Sequence, residues 1–219
     1  MFHGCISLQS IDFTQFKTNN AKNIRNMFSG CSSLTSIDLT NLNTSSVTLM
    51  NEMFHGCSSL KSLNLNIFNT LNVENMDWMF YERHKLESSD TSSFRTPKVK
   101  STAAMFVRCK SLTTSDVPQF DTSQVTNIIH MFEDCPLITS LDLSPFITSS
   151  IKNMRAMFLN SNKLTSLDLS HFDFTQVTDI KHMFAGYSNL KYINIKSLII
   201  NDNIEYKEYF INKSNYMYR

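Results

Sequence analysis

The apolar residues of this chain follow a pattern that repeats every 26 residues. Met-Phe pairs recur at this interval, and the pair Tyr209-Phe210 falls on the next step. The pairs begin at residues 1, 27, 53, 79, 105, 131, 157 and 183. A fixed period between about 20 and 50 residues is typical of proteins built from stacked repeats, each of which buries its apolar side against its neighbours. Each motif must therefore be judged first as a position in the repeat.

Two different apolar spacings follow each other within one repeat. In residues 34–42 apolar and polar side chains alternate around Ile37 and Leu39, which predicts a short strand with one buried face. Val47 and Met50 are three residues apart, which predicts one apolar face of a short helix. The sequence therefore predicts an α/β solenoid with one short parallel strand and one short helix in each 26-residue repeat.

The same pattern carries a resemblance to a known family. The segment LTSLDLSHFDFTQVTDIKHMFAGYSNL, residues 164–190, begins with the LxxLxL spacing of leucine-rich repeats. Together with DTSQVTN at 121–127, it resembles the BspA-like leucine-rich-repeat surface proteins, and the resemblance covers residues 1 to about 198. It implies a right-handed coil at a cell surface or outside the cell. It also implies protein binding or adhesion and no enzymatic activity.

The uninterrupted register predicts one elongated domain. Repeats occupy residues 1–198 in about seven to eight coils, and residues 199–219 form a degenerate last coil or a C-terminal tail. Met1 already stands at a mid-repeat position, whereas solenoids end in polar caps. We therefore expect the N-terminal cap to be missing and the chain to be a piece of a longer protein.

Charge and hydropathy exclude several partners. The net charge of +1 gives no global basic field for nucleic acid. No apolar run approaches the roughly 18–20 residues of a membrane span, and the first residues lack the basic and apolar regions of a signal peptide. We expect no nucleic acid partner and no membrane insertion by this segment, while the resemblance implies a protein ligand.

The strings MFHGC at Met1 and Met53 raise the question of a metal site. All five cysteines occupy one position of the repeat, namely Cys5, Cys31, Cys57, Cys109 and Cys135. A disulfide ladder or a metal site would use such a column, but five thiols leave one unpaired, and a structural zinc site needs four converging ligands. Buried free cysteine, acting as a small apolar side chain, is the simpler interpretation. We predict no metal ligand, no cofactor and no catalytic residue.

A polar stripe on the outward face of the strands is the predicted partner-binding site. One strand position carries acids or amides, which are Asp12, Asp38, Asn64, Asp90, Asp116, Asp142 and Asp168. Hydroxyl side chains precede them, including Ser36, Ser140 and Ser166. Stacked carboxylates repel each other unless something offsets them. Hydrogen bonds from nearby hydroxyls, a basic or hydroxyl-rich partner, and calcium are the three interpretations.

Residues 83–110 depart from the pattern, because basic side chains are concentrated there while the net charge of the whole chain is only +1. Either the sequence of this segment has diverged because the repeat tolerates substitutions, or the segment forms a basic binding patch.

The favoured function is a non-catalytic leucine-rich-repeat surface protein that binds protein ligands. A structural spacer and an intracellular protein-interaction scaffold are the alternatives, the second because free thiols suit a reducing compartment.

Overall fold

The computed structural model describes residues 1–85, 88–113, 120–187 and 189–195. Within these ranges the strands are short and parallel. Strand β1 (Ser62–Asn64) pairs with β2 (Ser88–Asp90), and β3 (Ser166–Asp168) pairs with β4 (Tyr192–Asn194). In both pairs the paired residues are one 26-residue period apart, so each strand lies beside the same strand of the neighbouring repeat.

A second ladder runs along most of the described chain. Single parallel bridges connect the same position of consecutive repeats, in the order Asn23, Leu49, Asn75, Ser101, Asn127, Asn153 and Asp179. Each residue between the two ends pairs with the equivalent residue of the repeats before and after it. Consecutive repeats therefore lie side by side in register.

Where the sequence predicts a short helix, the described residues form a series of turns instead. In residues 50–57, Met53, His55 and Cys57 each donate a backbone N–H to the carbonyl three residues earlier. The intervening N–H groups of Glu52 and Gly56, among others, donate to carbonyls of the next repeat. No α-helix occurs in the described ranges. The equivalents of 50–57 in each repeat are called the turn segment below.

The hydrogen bonds of the turn segment explain why apolar residues spaced three apart do not form a helix here. A helix would use every N–H inside the segment. Here alternate N–H groups point to the adjacent repeat, as in Glu52 to the Asp77 oxygen at 2.8 Å. Glu52 and Gly56 adopt left-handed backbone with φ of 59° and 67°. Successive turns also bring every third side chain to one side, so the periodicity fits both structures.

Stacked phenylalanine rings form the centre of the core. One ring from each repeat lies next to the equivalent ring of the following repeat, with centroids 5.4–6.3 Å apart. The column contains Phe2, Phe28, Phe54, Phe80, Phe106, Phe132, Phe158 and Phe184. The methionines that precede these rings are buried from Met27 to Met183. The Met-Phe pair is therefore the core position of the repeat.

Buried threonines join neighbouring repeats through polar contacts inside the protein. The Thr44 hydroxyl accepts a hydrogen bond from the Asn69 N–H at 2.8 Å and donates to the Asn69 carbonyl at 3.1 Å. Thr70 and Thr122 make the same pair of bonds to Arg95 and Ile147. A buried hydroxyl whose bonds are satisfied avoids the cost of burying a polar group.

The cysteine column is also bonded from one repeat to the next. All five cysteines are free, and all but Cys5 are buried. The thiols of the four buried cysteines donate to the carbonyl of a phenylalanine 29 residues earlier, as in Cys109 to Phe80 at 3.0 Å. Ser161 makes the same bond to the Phe132 carbonyl at 2.6 Å. A small side chain that can donate a hydrogen bond therefore fits this position in five of the described repeats.

Some predictions made from the sequence concern residues outside the described ranges, and others stay predictions. The segment 199–219, predicted as a degenerate coil or tail, lies outside the described residues. Asp116 of the polar stripe also lies outside them. The handedness of the coil and the closure of all repeats into one solenoid stay predictions.

Candidate binding surface

The predicted polar stripe lies on the exposed side of the strands, where its acids close local turns. In each described member the side-chain Oδ1 accepts a hydrogen bond from the backbone N–H two residues later, at 2.8–3.1 Å. These members are Asp12, Asp38, Asn64, Asp90, Asp142 and Asp168. This Asx-turn is a frequent local role of aspartate and asparagine. One oxygen of each carboxylate is therefore already used by its own chain.

The stripe is accessible to solvent. Ser36, Ser140 and Ser166 are exposed beside the acids. The hydroxyl and the backbone N–H of Ser144 lower the pKa of Asp142, so that the carboxylate is stabilised in its charged form. The hydrogen bonds show that the acids of the stripe close local turns. A binding role for the stripe stays a prediction.

Replacing Asp142 by asparagine tests this local role through pH. A carboxyl whose native pKa is lowered contributes stability above its unfolded pKa of about 3.9 and loses it as pH falls through the lower native pKa. Asparagine can close the same turn without titrating. We expect the stability difference between wild type and Asp142→Asn to shift against wild type below about pH 4. Denaturant midpoints from pH 7 downwards measure it, and parallel pH profiles would contradict it.

A different surface, on the turn segments, carries unusual backbone and side chains together. One position of this segment is glycine at Gly30 and Gly56, with φ of 76° and 67°. In the four following repeats the same left-handed position holds polar residues with φ of 53–61°, which are Glu82, Arg108, Asp134 and Asn160. Left-handed backbone costs a residue with a side chain about 1 kcal/mol or more. Four consecutive repeats therefore keep a polar side chain at a position that favours glycine.

These four side chains are linked into one row, here called the polar ladder. Arg108 lies at its centre, with Nη1 2.7 Å from Glu82 Oε1 and Nε 3.6 Å from Asp134 Oδ2. Asn160 Nδ2 donates to Asp134 Oδ1 at 2.9 Å. Each contact joins neighbouring repeats. The hydrogen bond that Arg108 donates to Glu82 raises the pKa of Arg108, and the nearby Tyr81 and Asp134 act in the same direction.

An aromatic cluster adjoins one end of the polar ladder. Trp78, the single tryptophan of the chain, has 41 % of its surface exposed and a left-handed φ of 58°. Its ring centroid is 4.9 Å from that of Tyr81 and 6.2 Å from that of His55. Arg108 Nη1 donates to the Tyr81 hydroxyl at 3.2 Å, which connects the cluster to the ladder.

A groove of about 540 Å³ follows the polar ladder across four repeats. It is lined by the ladder and by the residues two positions later in the same repeats, namely His84, Lys110, Pro136 and Asn162. The groove, the polar ladder and the aromatic cluster are called the turn-segment face below.

The histidine of the second MFHGC string belongs to this face. The His55 ring meets Tyr81 edge-on at 4.7 Å, and Nδ1 is 3.8 Å from the Glu52 carboxylate. Cys57, two residues away, is buried, and burial raises the pKa of its thiol to about 12. Among the described residues, no three histidines, cysteines or acids are grouped as metal ligands would be. The two residues of the string therefore have separate environments.

The turn-segment face is not predicted by the sequence pattern above, although two features of the sequence point to it. The first is the loss of glycine from its column at residue 82 and its return at Gly186. The second is the single tryptophan at a position where other repeats have small or polar residues. Neither signal shows that Trp78 meets His55, because that contact depends on the stacking of the repeats.

Comparisons with known proteins give a family and nothing more specific. Residues 1–115 and 101–217 each match the family described as "Mycoplasma protein of unknown function, DUF285". No curated protein and no solved structure matches the chain. The two matches together span nearly all of the sequence, in keeping with a repeat protein. No helix in the described part of the chain has the length and hydropathy that crossing a membrane requires.

Proposed function

We propose that this chain, which belongs to the DUF285 family, is a non-catalytic protein-binding module that uses its turn-segment face. We further propose that its repeats form a solenoid of the leucine-rich-repeat type, similar to the BspA-like surface proteins, and that it acts at a cell surface in adhesion or other protein binding. The family description names no activity, so the proposal rests on the residues of this chain and on that resemblance.

The observation that carries the proposal is the aromatic cluster beside Arg108. Tryptophan, tyrosine and arginine are the residues that dominate the energy of protein interfaces. Trp78 is well exposed, and its ring is held by contacts with Tyr81 and His55. A side chain fixed in this way loses little conformational freedom on binding, which favours affinity.

The polar ladder adds a second argument. Its four members keep side chains on left-handed backbone, where glycine would be relaxed. Strained residues of this kind cluster at functional sites, because the strain is retained for the sake of the side chain. The ion pairs of Arg108 are partly exposed, so their contribution to folding is small. Recognition of a partner gives these residues a role that stability does not.

Selection from a displayed library of random peptides tests the proposal without a known ligand. Peptides enriched on the wild-type protein are expected to bind the Trp78→Ala variant about tenfold or more weakly, because truncation removes a central contact. Leu71→Ala is the matched control, since Leu71 is an exposed apolar side chain outside this face. Titration of individual peptides against each variant measures the loss.

Two results would overturn the proposal. One is the absence of any enriched peptide, which is expected of a structural spacer. The other is a set of peptides whose affinity is unchanged by Trp78→Ala and by Arg108→Ala, since binding would then lie elsewhere. Because Trp78 and Arg108 are exposed, both variants are expected to keep the far-ultraviolet circular dichroism of the wild type.

A further inference from the structure

We propose that the turn-segment face binds a second copy of this chain, with the two faces antiparallel and related by a two-fold axis. This inference rests on the proposed binding function and names its partner. The axis lies in the plane of the interface, across the direction in which the repeats stack. Each column of equivalent residues then faces the same column of the second copy in reverse order. The columns are in register, because equivalent residues of consecutive repeats pair along the bridge ladder.

The charges of the polar ladder alternate along the stack. Its members are an acid, a cation, an acid and an amide, namely Glu82, Arg108, Asp134 and Asn160. The groove beside them is lined by two carboxylates and by the two cations Arg108 and Lys110, so no net charge selects a ligand of one sign. A two-fold axis between the repeats of Arg108 and Asp134 places these two residues opposite each other in the two copies. It also places the Glu82 carboxylate opposite the Asn160 amide. The alternating ladder is therefore complementary to its own reversed copy.

Side-chain size alternates in a second column of the turn segments. Trp78, Ala104, His130 and Ala156 occupy it, all with left-handed φ of 51–58°. The tryptophan is well exposed, whereas both alanines are buried. The same axis places Trp78 over Ala156 of the second copy, and His130 over Ala104. Each large side chain thus meets a position where a small one leaves room, and close packing of this kind is what the centre of a protein interface requires.

Two cations near the start of the turn segments lack an acid in their own chain. Lys152 and Arg155 form no ion pair within the described part of the chain. The same axis brings them opposite the equivalent residues three repeats earlier in the second copy, which are Glu74 and Asp77. Both positions therefore bring opposite charges together, and each pair occurs twice in the dimer.

Other registers of the antiparallel pairing are less favourable. An axis through a repeat would place every charged residue of that repeat opposite itself. An axis one repeat earlier would place Lys152 opposite Lys22. It would also place Arg155 opposite Arg25, and like charges repel. An axis one repeat later would leave Arg108 without an acid opposite it. Charge thus selects the register centred between the repeats of Arg108 and Asp134.

The size of the contact predicts a weak dimer. Neighbouring repeats in a parallel ladder are about 4.8 Å apart, so the four repeats from Trp78 to Ala156 extend over about 14 Å. A contact of this length belongs with the small interfaces of transient complexes. We therefore expect a dissociation constant of about 10–1000 µM.

Sedimentation equilibrium between about 10 µM and about 1 mM measures this association. The average mass is expected to rise from that of one chain toward that of two. The emission of Trp78, the only tryptophan of the chain, should shift to shorter wavelength over the same range, because the second copy covers its ring. Trp78→Ala is expected to weaken the dimer about tenfold. Raising the ionic strength from about 0.15 M to about 0.5 M should also weaken it.

Charge reversal at Glu74 and Lys152 tests the register. Glu74→Lys and Lys152→Glu each place like charges opposite each other at two positions, and each is expected to weaken the dimer about five- to tenfold. A mixture of the two variants restores both pairs between unlike chains, and the double variant restores them between identical chains. Both are expected to regain the affinity of the wild type.

Lys22→Glu is the matched control for these variants. Lys22 is an exposed lysine in the same column as Lys152, and in this register it has no acid opposite it. Its replacement is expected to leave the dissociation constant unchanged. Because Glu74 and Lys152 are exposed, their variants should keep the far-ultraviolet circular dichroism of the wild type.

The outcomes separate this inference from the proposed function. A chain that stays monomeric up to about 1 mM would overturn the inference. A dimer unaffected by Trp78→Ala would overturn it as well, and so would a mixture of Glu74→Lys and Lys152→Glu that associates no better than either variant alone. In those cases the library peptides that depend on Trp78 still support a binding function. If those peptides are insensitive to Trp78→Ala and to Arg108→Ala, the proposed function itself fails.

Discussion

Replacing Arg83 by cysteine is expected to stabilise the protein by about 2–4 kcal/mol. Arg83 occupies the cysteine column, where it is 0 % exposed, and its three guanidinium nitrogens have no hydrogen-bond partner among the described residues. Burial lowers the pKa of Arg83 to about 10, because the charged form loses its water. The group nevertheless stays charged at neutral pH. A buried and unpaired charge is among the largest local costs that a fold can carry.

The surroundings of Arg83 offset only part of this cost. The guanidinium carbon lies 5.5 Å from the centroid of the Phe80 ring and 5.8 Å from that of Phe54. Such cation–π contacts contribute roughly 2 kcal/mol when they are desolvated. The neighbours in the column, Cys57 and Cys109, are free thiols with raised pKa values, so they are neutral at pH 7 and do not pair with the charge.

Cysteine is the appropriate replacement because the column already shows how it fits. Cys57 and Cys109 donate their thiols to carbonyls 29 residues earlier, at 3.1 Å and 3.0 Å. By the same register a thiol at residue 83 would donate to the Phe54 carbonyl. Thermal and denaturant midpoints of Arg83→Cys and Arg83→Lys form the comparison. A gain for cysteine and a loss for lysine are expected, whereas a loss for both would mean that the guanidinium has partners that these contacts do not include.

Much of the core could be predicted from the sequence, because its residues obey a strict period. The Met-Phe pairs recur every 26 residues and the cysteines share one position of the repeat, and the structure buries nearly all of these side chains. Periodicity is a direct consequence of stacking, since each repeat must present the same apolar side to its neighbour. The odd number of cysteines requires only one of them to be unpaired, and all five are free in the structure.

The turn segments could not be predicted by the same reasoning. Apolar residues three apart fit both a helix and a chain of turns, and the difference lies in where alternate N–H groups bond. The N–H of Trp78 bonds to the Ala103 carbonyl of the next repeat at 2.9 Å, a partner that local propensity does not reveal. The left-handed φ angles of Trp78 and Ala104 could not be predicted from the sequence either, because neither residue type favours that backbone conformation.

The outward acids lie where the sequence predicts them, but their role in binding stays a prediction. The alternation of the strand placed Asp38 and Asp168 on the surface, and both are exposed there. Their Asx-turns involve backbone N–H groups two residues later, which are local contacts that the sequence admits but does not require. The binding surface proposed instead depends on side chains from different repeats, so it appeared only when the repeats were stacked.

Truncation of Phe106 to alanine is expected to give the largest loss of stability, about 3–5 kcal/mol. Phe106 is fully buried, and its ring is stacked between Phe80 at 5.4 Å and Phe132 at 5.6 Å. Removing the ring leaves a cavity between two repeats, and the neighbouring rings lose contacts on one side each. The loss in unfolding free energy can be measured from urea denaturation.

Two further variants separate the effect of the stack from that of apolar volume. Phe106→Leu keeps most of the volume and is expected to lose less than half as much stability as Phe106→Ala. Phe2→Ala removes a partly buried ring that has the stacked neighbour Phe28 on one side, so its loss should also be smaller. In a stacked repeat protein stability is a sum of repeat and interface contributions, so a central interface matters more than a terminal one. Equal losses for Phe2→Ala and Phe106→Ala would contradict this prediction, because neither the lower burial of Phe2 nor its single stacked neighbour would then have reduced the cost.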